Sequence, residues 1–321
     1  MPWKRRVAVF SLHLLGCAPE PPSRTPCETL VVATWNVRRL FDSRCDSGDC
    51  GPTRAEDRLP PDEVEASVRR VASAVRALDA DVVVLEEIEN RALLDRIVEA
   101  HGGTLSAAIG ESPAPGSIDV AVIARVPIRR VRHHVGVTLA LPDGRTTTPT
   151  RDLLEVELAT APRPVTVVGA HFKSQRLDDP ERRHAEARFA ADTVAAARAR
   201  GAALVVLAGD LNDVPGSPTL RLLEDDGGLY RVTARLAPEA AFTIVHEGRP
   251  ELLDHLFVPE VDRARVVPDG VFVVHGAGVG YGGSDHAAVR ASFRLGSEGD
   301  GGRGTVGPCA PPSSSPPSAS P

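Results

Sequence analysis

Residues 202–213, AALVVLAGDLND, constrain this chain more than any other stretch. The aliphatic run between Gly201 and Gly209 predicts a buried central strand, and it stops at Asp210, Leu211, Asn212 and Asp213. Carboxylates are costly at the end of a buried strand unless they meet partners. Side chains alternate along a strand, so Asp210 and Asn212 leave the same face just past its end, where open α/β sheets collect ligands. Asp and Asn after Gly also form turns and cap the next element. Which reading holds depends on what other segments deliver to the same place.

Several segments repeat the pattern of an apolar run ending in polar residues. Residues 30–35, LVVATW, read as a strand that ends in Asn36, either a turn residue or a ligand for phosphate or metal. A helix over residues 62–78 follows from the spacing of Val64, Val68, Val71, Val75 and Leu78, and returns the chain to a strand over 81–85. Strand, helix, strand in succession indicates α/β architecture. Glu86, Glu87 and Glu89 then crowd the strand end; two are expected on solvent, and one facing the cleft would be a hard-metal ligand. A strand over 118–124 carries Asp119 and leads into RVPIRRVRHH, the most basic stretch, which is either a solvated face or a phosphate-backbone contact. Residues 153–158 and 165–170 read as a strand pair, the second ending in His171, Phe172, Lys173 and Ser174. Asp179 and Pro180 open a helix running to Gly201, with Arg182, Arg183 and His184 in its first turns, where they could face the cleft. In LLDHLFV, residues 252–258, Asp254 lies inside an apolar strand and needs a partner. Finally GGSDHAAVRASF, residues 282–293, delivers Ser284, Asp285 and His286 from a glycine turn just before the last strand.

The two ends read differently. Lys4, Arg5 and Arg6 precede a short apolar run, the pattern of an export signal over residues 1–16. LLGC, residues 14–17, is similar to a lipobox in which Cys17 would be acylated; the alternative is an ordinary secretory signal cut nearby. Residues 17–29 would be a Pro-rich linker, 30–295 the folded domain, and 296–321 a disordered Gly/Pro/Ser-rich tail. The expected location is the bacterial cell envelope, lipid-anchored, or outside the cell. With Cys17 set aside, four cysteines remain in an oxidising compartment. A local Cys45–Cys50 disulfide is expected, with Cys27 free to tie the start to Cys309; a metal site from Cys45, Asp46, Asp49 and Cys50 matches no zinc spacing. The formal net charge is −6. Loss of residues 1–16 would make it more negative, so any nucleic-acid binding must rest on a local patch.

Taken in order, TWNV (34–37), LEEIEN (85–90), IDVAVI (118–123), GAHFKS (169–174), LAGDLND (207–213), LDHLF (253–257) and GGSDHAAV (282–289) resemble the endonuclease/exonuclease/phosphatase superfamily over residues 30–295. The resemblance implies an α/β (α+β) fold, the DNase I-like four-layer α/β/β/α sandwich of two mixed sheets. It implies a phosphoric ester hydrolase using a divalent metal, Mg²⁺ in the first place, with Mn²⁺ or Ca²⁺ as alternatives. Asn36 and Glu87 match metal and phosphate ligands, and Asp285 a second metal-side carboxylate. Glu86 replaces the glutamine usual before the glutamate. Asp210 matches the group that activates water, Asn212 a phosphate contact, and His286 the phosphate-binding imidazole held by Asp254. His171 matches a second catalytic histidine, with Asp119, one residue along from where the family has a glutamate, a candidate for its acidic partner, and Lys173 a substrate contact.

The chemistry of the residues agrees. Phosphodiester hydrolysis needs an in-line water, charge neutralisation at the non-bridging oxygens and help for the leaving group, and these side chains supply all three. The first expectation is an exported nuclease acting on DNA or RNA. A sphingomyelinase-like phospholipid hydrolase or a phosphatase is the alternative within the same chemistry, since 4% aromatic residues leave little surface for base stacking. A catalytically inactive surface binding module is the reading from another class. Substrate choice would fall to the loops at 42–61, 102–117 and 224–250. No protein partner is legible.

Overall fold

The computed structural model describes residues 29–296. The expected export signal, the acylation of Cys17, most of the linker, the Cys27–Cys309 pairing and nearly all of the tail lie outside the described residues. Two six-stranded sheets pack face to face, with helices on both outer sides. The first sheet has the order β15 (Val266–Val274), β16 (Ala288–Arg294), β1 (Thr29–Leu40), β2 (Val82–Ile88), β4 (Asp119–Ala124), β3 (Ser106–Gly110). In the second the order is β11 (Leu229–Arg231), β14 (Asp254–Pro259), β10 (Leu204–Asp210), β9 (Val165–His171), β8 (Leu154–Leu158), β5 (Ile128–Arg132). Both mix directions: β1 is parallel to β2 and β9 parallel to β10, while the other pairs are antiparallel. Two short ribbons, β6 (Leu139–Ala140) with β7 (Thr146–Thr147) and β12 (Ile244–His246) with β13 (Arg249–Glu251), stand apart. This is the four-layer sandwich expected above.

Alternation sorts most of the buried apolar residues of the two large sheets among three cores. Leu30, Val32, Val82, Val84, Leu204, Val206 and Ala208 point between the sheets. Their odd-numbered neighbours in β1, Ala33 and Trp35, meet helices α1 (Pro61–Leu78) and α2 (Arg91–His101). Val205 and Leu207 meet α3 (Pro180–Ala199) and the short α4 (Pro218–Arg221). Asp179 caps α3 by accepting a hydrogen bond from the Arg182 amide, as its sequence position suggests. No helix among the described residues is long and apolar enough to cross a membrane.

Glycines allow the tight approaches at the site end. A Cβ on Gly209 would lie 1.8 Å from the Ala170 carbonyl oxygen of the adjacent β9. One on Gly169 would meet Val120 Cγ1 at 2.8 Å and Val84 Cγ1 at 3.1 Å, so β9 presses directly on the opposite sheet.

The basic stretch after β4 fits the solvated-face reading: it forms β5, where Arg129 and Arg132 pair with Glu157 and Glu155 of β8 and where Arg129 and Arg130 are exposed. Two sequence expectations change. Arg183 turns away from the cleft and is buried against Asp178 and Asp213, bracing the loop after β10. Of the three glutamates after Leu85, Glu86 and Glu89 are buried and Glu87 is the partly exposed one. Glu89 is drawn in by the Asp42 amide, which donates to it at 2.6 Å. Cys45 and Cys50 form the expected local disulfide, with Cα atoms 5.9 Å apart, which removes their thiolates from metal chemistry.

Candidate active site

The inward faces of the strands that run in a straight series of apolar residues end in polar ones at the same edge of the sandwich. On β1 the series Leu30, Val32, Thr34 continues to Asn36; on β2, Val82 and Val84 continue to Glu86; on β10, Val206 and Ala208 continue to Asp210. His171 ends β9 and Asp254 begins β14, directly opposite Asp210 in the ladder. The polar cluster is therefore the rim of the inter-sheet core, and all five of these residues are buried.

Asp210 is 2% exposed and fully engaged. Its Oδ2 accepts from Asn36 Nδ2 at 3.0 Å and its Oδ1 from the Asn212 amide at 2.9 Å. Asn212 reaches that position through a left-handed φ of 52°, so the two residues meet by a backbone reversal rather than by simple alternation. Its side-chain Nδ2 donates to the Phe172 carbonyl at 3.1 Å, which joins the ends of β9 and β10. Burial, reinforced by the negative charge of Asp254, pushes the Asp210 carboxyl up to about 7, a value matched to proton transfer near neutrality.

Glu87 breaks the alternation. Pairing of β2 with β4 shifts register between Glu86 and Ile88, and Glu87 occupies the bulge with φ 70°. The bulge turns its carboxylate to Asn36, whose Nδ2 lies 3.2 Å from Oε1, while the Arg39 amide donates to Oε2 at 2.6 Å. Glu87 is thus the partly exposed hard oxygen donor beside Asp210, steadied by the buried Asn36, whose Oδ1 accepts from the Arg38 amide; carboxylate and amide oxygens are the donor chemistry that suits a divalent ion such as Mg²⁺. Asp285 is exposed and pairs with Arg38 at 3.4 Å across the mouth.

His286 and Asp254 form a buried pair, Nδ1 to Oδ2 at 2.8 Å. Burial works against a charged ring here, but Asp254, then Asp210 and Asp285, outweigh it and push His286 up to about 10. The imidazole is a fixed cation at neutral pH. Ser284 holds the turn by donating to the Asn36 carbonyl and accepting from the His286 amide. Asp210, Asp254 and His286 bring one ligand atom each within 4.8 Å of one another. The Nδ1 bond to Asp254 makes this a charge-paired cluster first.

His171 behaves differently. Burial, with the positive charges of Arg151 and His286 nearby, holds its pKa well below the ordinary value, and Nε2 lies 3.6 Å from Asp210 Oδ2. Asp119 does not support it: Asp119 accepts from Ser117 Oγ at 3.0 Å, and His171 Nδ1 has no partner. The reason lies in the same bulge, which pairs Asp119 with Ile88 and aligns it with the strand edge. Lys173 also departs from expectation, because its Nζ donates to the Ser174 and Arg176 carbonyls of its own loop.

One group was not legible beforehand, and a second was seen in the sequence only as the replacement for a glutamine. Arg151 donates to the Ile118 and Phe172 carbonyls, and its charge is opposed by burial and favoured by Glu87 and Asp210. A lone arginine ahead of a strand gives no sequence signal. Glu86 is the other: it is 0% exposed, accepts from Thr34 Oγ1 at 2.6 Å, and is pushed well above the carboxylate range by burial and then by Asp254. A neutral carboxylic acid has the shape of the glutamine it replaces.

Comparison with curated proteins gives no match. Among solved structures, a truncated TDP2 of Caenorhabditis elegans is 18% identical, with 83% of this chain and 97% of that chain covered and a TM-score of 0.54. Sphingomyelinase C from Streptomyces griseocarneus is 21% identical over 83% of this chain and 99% of that one, with a TM-score of 0.55. An endonuclease/exonuclease/phosphatase from Beutenbergia cavernae is 22% identical over 84% and 72%, with a TM-score of 0.54. These likenesses establish the fold. The model of the Endonuclease/Exonuclease/phosphatase family matches residues 33–286, from within β1 to His286, and with that span covering the whole polar rim, the chain belongs to this family.

Proposed function

We propose that the protein is an exported, metal-dependent phosphodiesterase that hydrolyses DNA or RNA. The observation that carries the hydrolytic reading is the pairing of two opposed devices at one rim: Asp210, poised to take a proton, and His286, held as a cation by buried Asp254. In this reading water adds its oxygen to phosphorus, Asp210 accepts the proton, and the bond to the leaving oxygen breaks on the far side. His286 and Arg151 stabilise the charge that grows on the non-bridging oxygens, and Asn36 and Asn212 keep Asp210 aimed. Glu87 and Asn36 would hold the divalent ion, with Asp285 at the mouth; the ion would supply further neutralisation of the phosphate. Neutral His171 is suited to accepting or orienting rather than to acting as the acid.

Nucleic acid is supported by the TDP2 neighbours, one of which, from D. rerio, is complexed with single-strand DNA product. A second reading, cleavage of a phospholipid head group, is favoured by one feature. Leu177 is 89% exposed with φ 52° in the loop beside the site, where Gln175 donates to the Asn212 carbonyl. Export and a lipid anchor at Cys17 are supported by the basic and apolar start of the sequence alone. The test is a substrate panel with Mg²⁺ and with excess chelator: supercoiled plasmid, single-stranded DNA, RNA and sphingomyelin vesicles. The proposal expects chelator-sensitive cleavage of nucleic acid. Turnover of sphingomyelin alone would replace it with the second reading.

A further inference from the structure

The chain is poor in aromatic residues, and most of those in the described region are consumed by the core. Trp35, Phe41, Phe172, Tyr230, Phe257, Tyr281 and Phe293 are buried. Phe189 and Phe272 are partly exposed but pack against core clusters. Phe242 is partly exposed and packs against none of them. Its ring lies instead on His275, centroids 4.5 Å apart and planes inclined by 37°.

The position of this pair gives it meaning. Phe242 precedes Thr243, whose Oγ1 accepts from the Asp254 amide and whose carbonyl accepts from Ala287, the residue after His286. His275 opens the loop that ends in Ser284, Asp285 and His286, and its Nδ1 is fixed by the Val279 carbonyl at 2.6 Å. The Tyr281 amide donates to the His286 carbonyl, which ties that loop to the same histidine. Both halves of the stack are therefore anchored to the backbone of the His286–Asp254 pair. A partly exposed phenyl ring with no core to fill is unfavourable in water unless something covers it.

We propose that Phe242 and His275 form a platform on which an unpaired nucleobase stacks beside the scissile phosphate. This rests on the nucleic-acid reading above and narrows it to single-stranded or locally unpaired substrates. Two rings inclined by 37° give a shallow aromatic surface on which a planar base can stack, whereas a choline head group is held by several converging aromatic walls, and the other aromatic rings of the described residues are taken up by the cores. A base inside a duplex is already stacked and has no open face to offer. The amide-like restraint on His275 Nδ1 keeps the platform in place before substrate arrives, so little ordering is lost on binding.

The test uses the whole protein in excess chelator, so that binding is read without turnover. The probes are fluorescein-labelled thymidine octamers and octamers of the same length with abasic tetrahydrofuran residues, followed by fluorescence anisotropy. The wild type is expected to bind the thymidine octamer about tenfold more tightly than the abasic one. Phe242→Ala is expected to abolish that preference, His275→Ala to reduce it, and Phe242→Trp to restore it. Equal affinity of the wild type for both probes overturns the proposal. So does a full preference retained in Phe242→Ala, or sphingomyelin vesicles displacing the octamer from the wild type but not from Phe242→Ala. If Phe242→Ala does not fold, the His275→Ala and Phe242→Trp results decide the matter. Base-dependent binding without cleavage once Mg²⁺ is restored would uphold the platform while removing the nuclease reading.

Discussion

Replacing Asp254 by Asn keeps the shape of a fully buried side chain and removes its charge. The effect follows from His286, whose ring nitrogen lies 2.8 Å from the carboxylate and whose pKa stands at about 10. Measured against an ordinary histidine near 6.5, the protonated form is favoured by about 5 kcal/mol. Asp254 supplies the largest share of that preference, so in the variant burial prevails and the ring is neutral at pH 7.5. The sign is fixed by the direction of the shift. The stability this pair contributes is fully present below pH 6.5 and is lost as pH climbs towards 10. Loss of one preorganised charge at a developing oxyanion costs roughly 10²–10³ in rate. We expect kcat/KM on the cleaved substrate to fall by that amount. Folding stability should fall by less than the about 5 kcal/mol by which the charged ring is favoured, because the repulsion between Asp254 and Asp210 is relieved at the same time. Proton NMR of the His286 ring would show it charged at pH 7.5 in the wild type and neutral in the variant. A folded Asp254→Asn protein retaining more than half of wild-type activity would refute the reasoning.

Three further outcomes are expected. His255 is fully buried with Nε2 on the Asp213 carbonyl and its pKa is lowered by burial to about 4, so it is kept neutral by the fold. Its contribution is present above pH 6.5 and declines as pH falls towards 4, by about 3 kcal/mol in all; urea titrations should show that this acid sensitivity is reduced in His255→Gln. Gly209→Ala drives a Cβ to within 1.8 Å of the Ala170 oxygen and must part β9 from β10, so a loss of at least ~4 kcal/mol or outright failure to fold is expected by thermal unfolding. Arg151→Ala should lower kcat/KM by about 10–100-fold and lower Tm by a few degrees, because two carbonyls lose their donor, and Arg151→Lys should restore little, since the guanidinium is fixed by two carbonyls.

What the sequence made legible is the part governed by period-two alternation. Asn36, Asp210 and Asp254 continue inward-facing apolar series, and a strand that ends in a polar residue can be recognised without knowing its neighbours. Glu87 is one residue out of phase with Glu86, and only a bulge with a left-handed residue brings it to Asn36; alternation alone points to Glu86. The expectation for Asp119 failed because the same bulge sets its register, and that for Lys173 because a flexible stem can satisfy itself on nearby carbonyls. Arg151, Phe242 and His275 acquire their significance from contacts over long sequence separations, and no local pattern encodes those.

The most direct test of the central claim is cleavage of labelled single-stranded DNA and supercoiled plasmid by wild type and Asp210→Asn, side by side in Mg²⁺. Asn keeps the size of the side chain and one acceptor, for the Asn212 amide, but gives up the acceptor for Asn36 Nδ2 and cannot take a proton. A folded variant slowed at least about 10³-fold, with substrate binding in chelator unchanged, is the result the account predicts. A variant that cleaves at the wild-type rate would show that Asp210 is not the base, and the rim would need a different chemical reading.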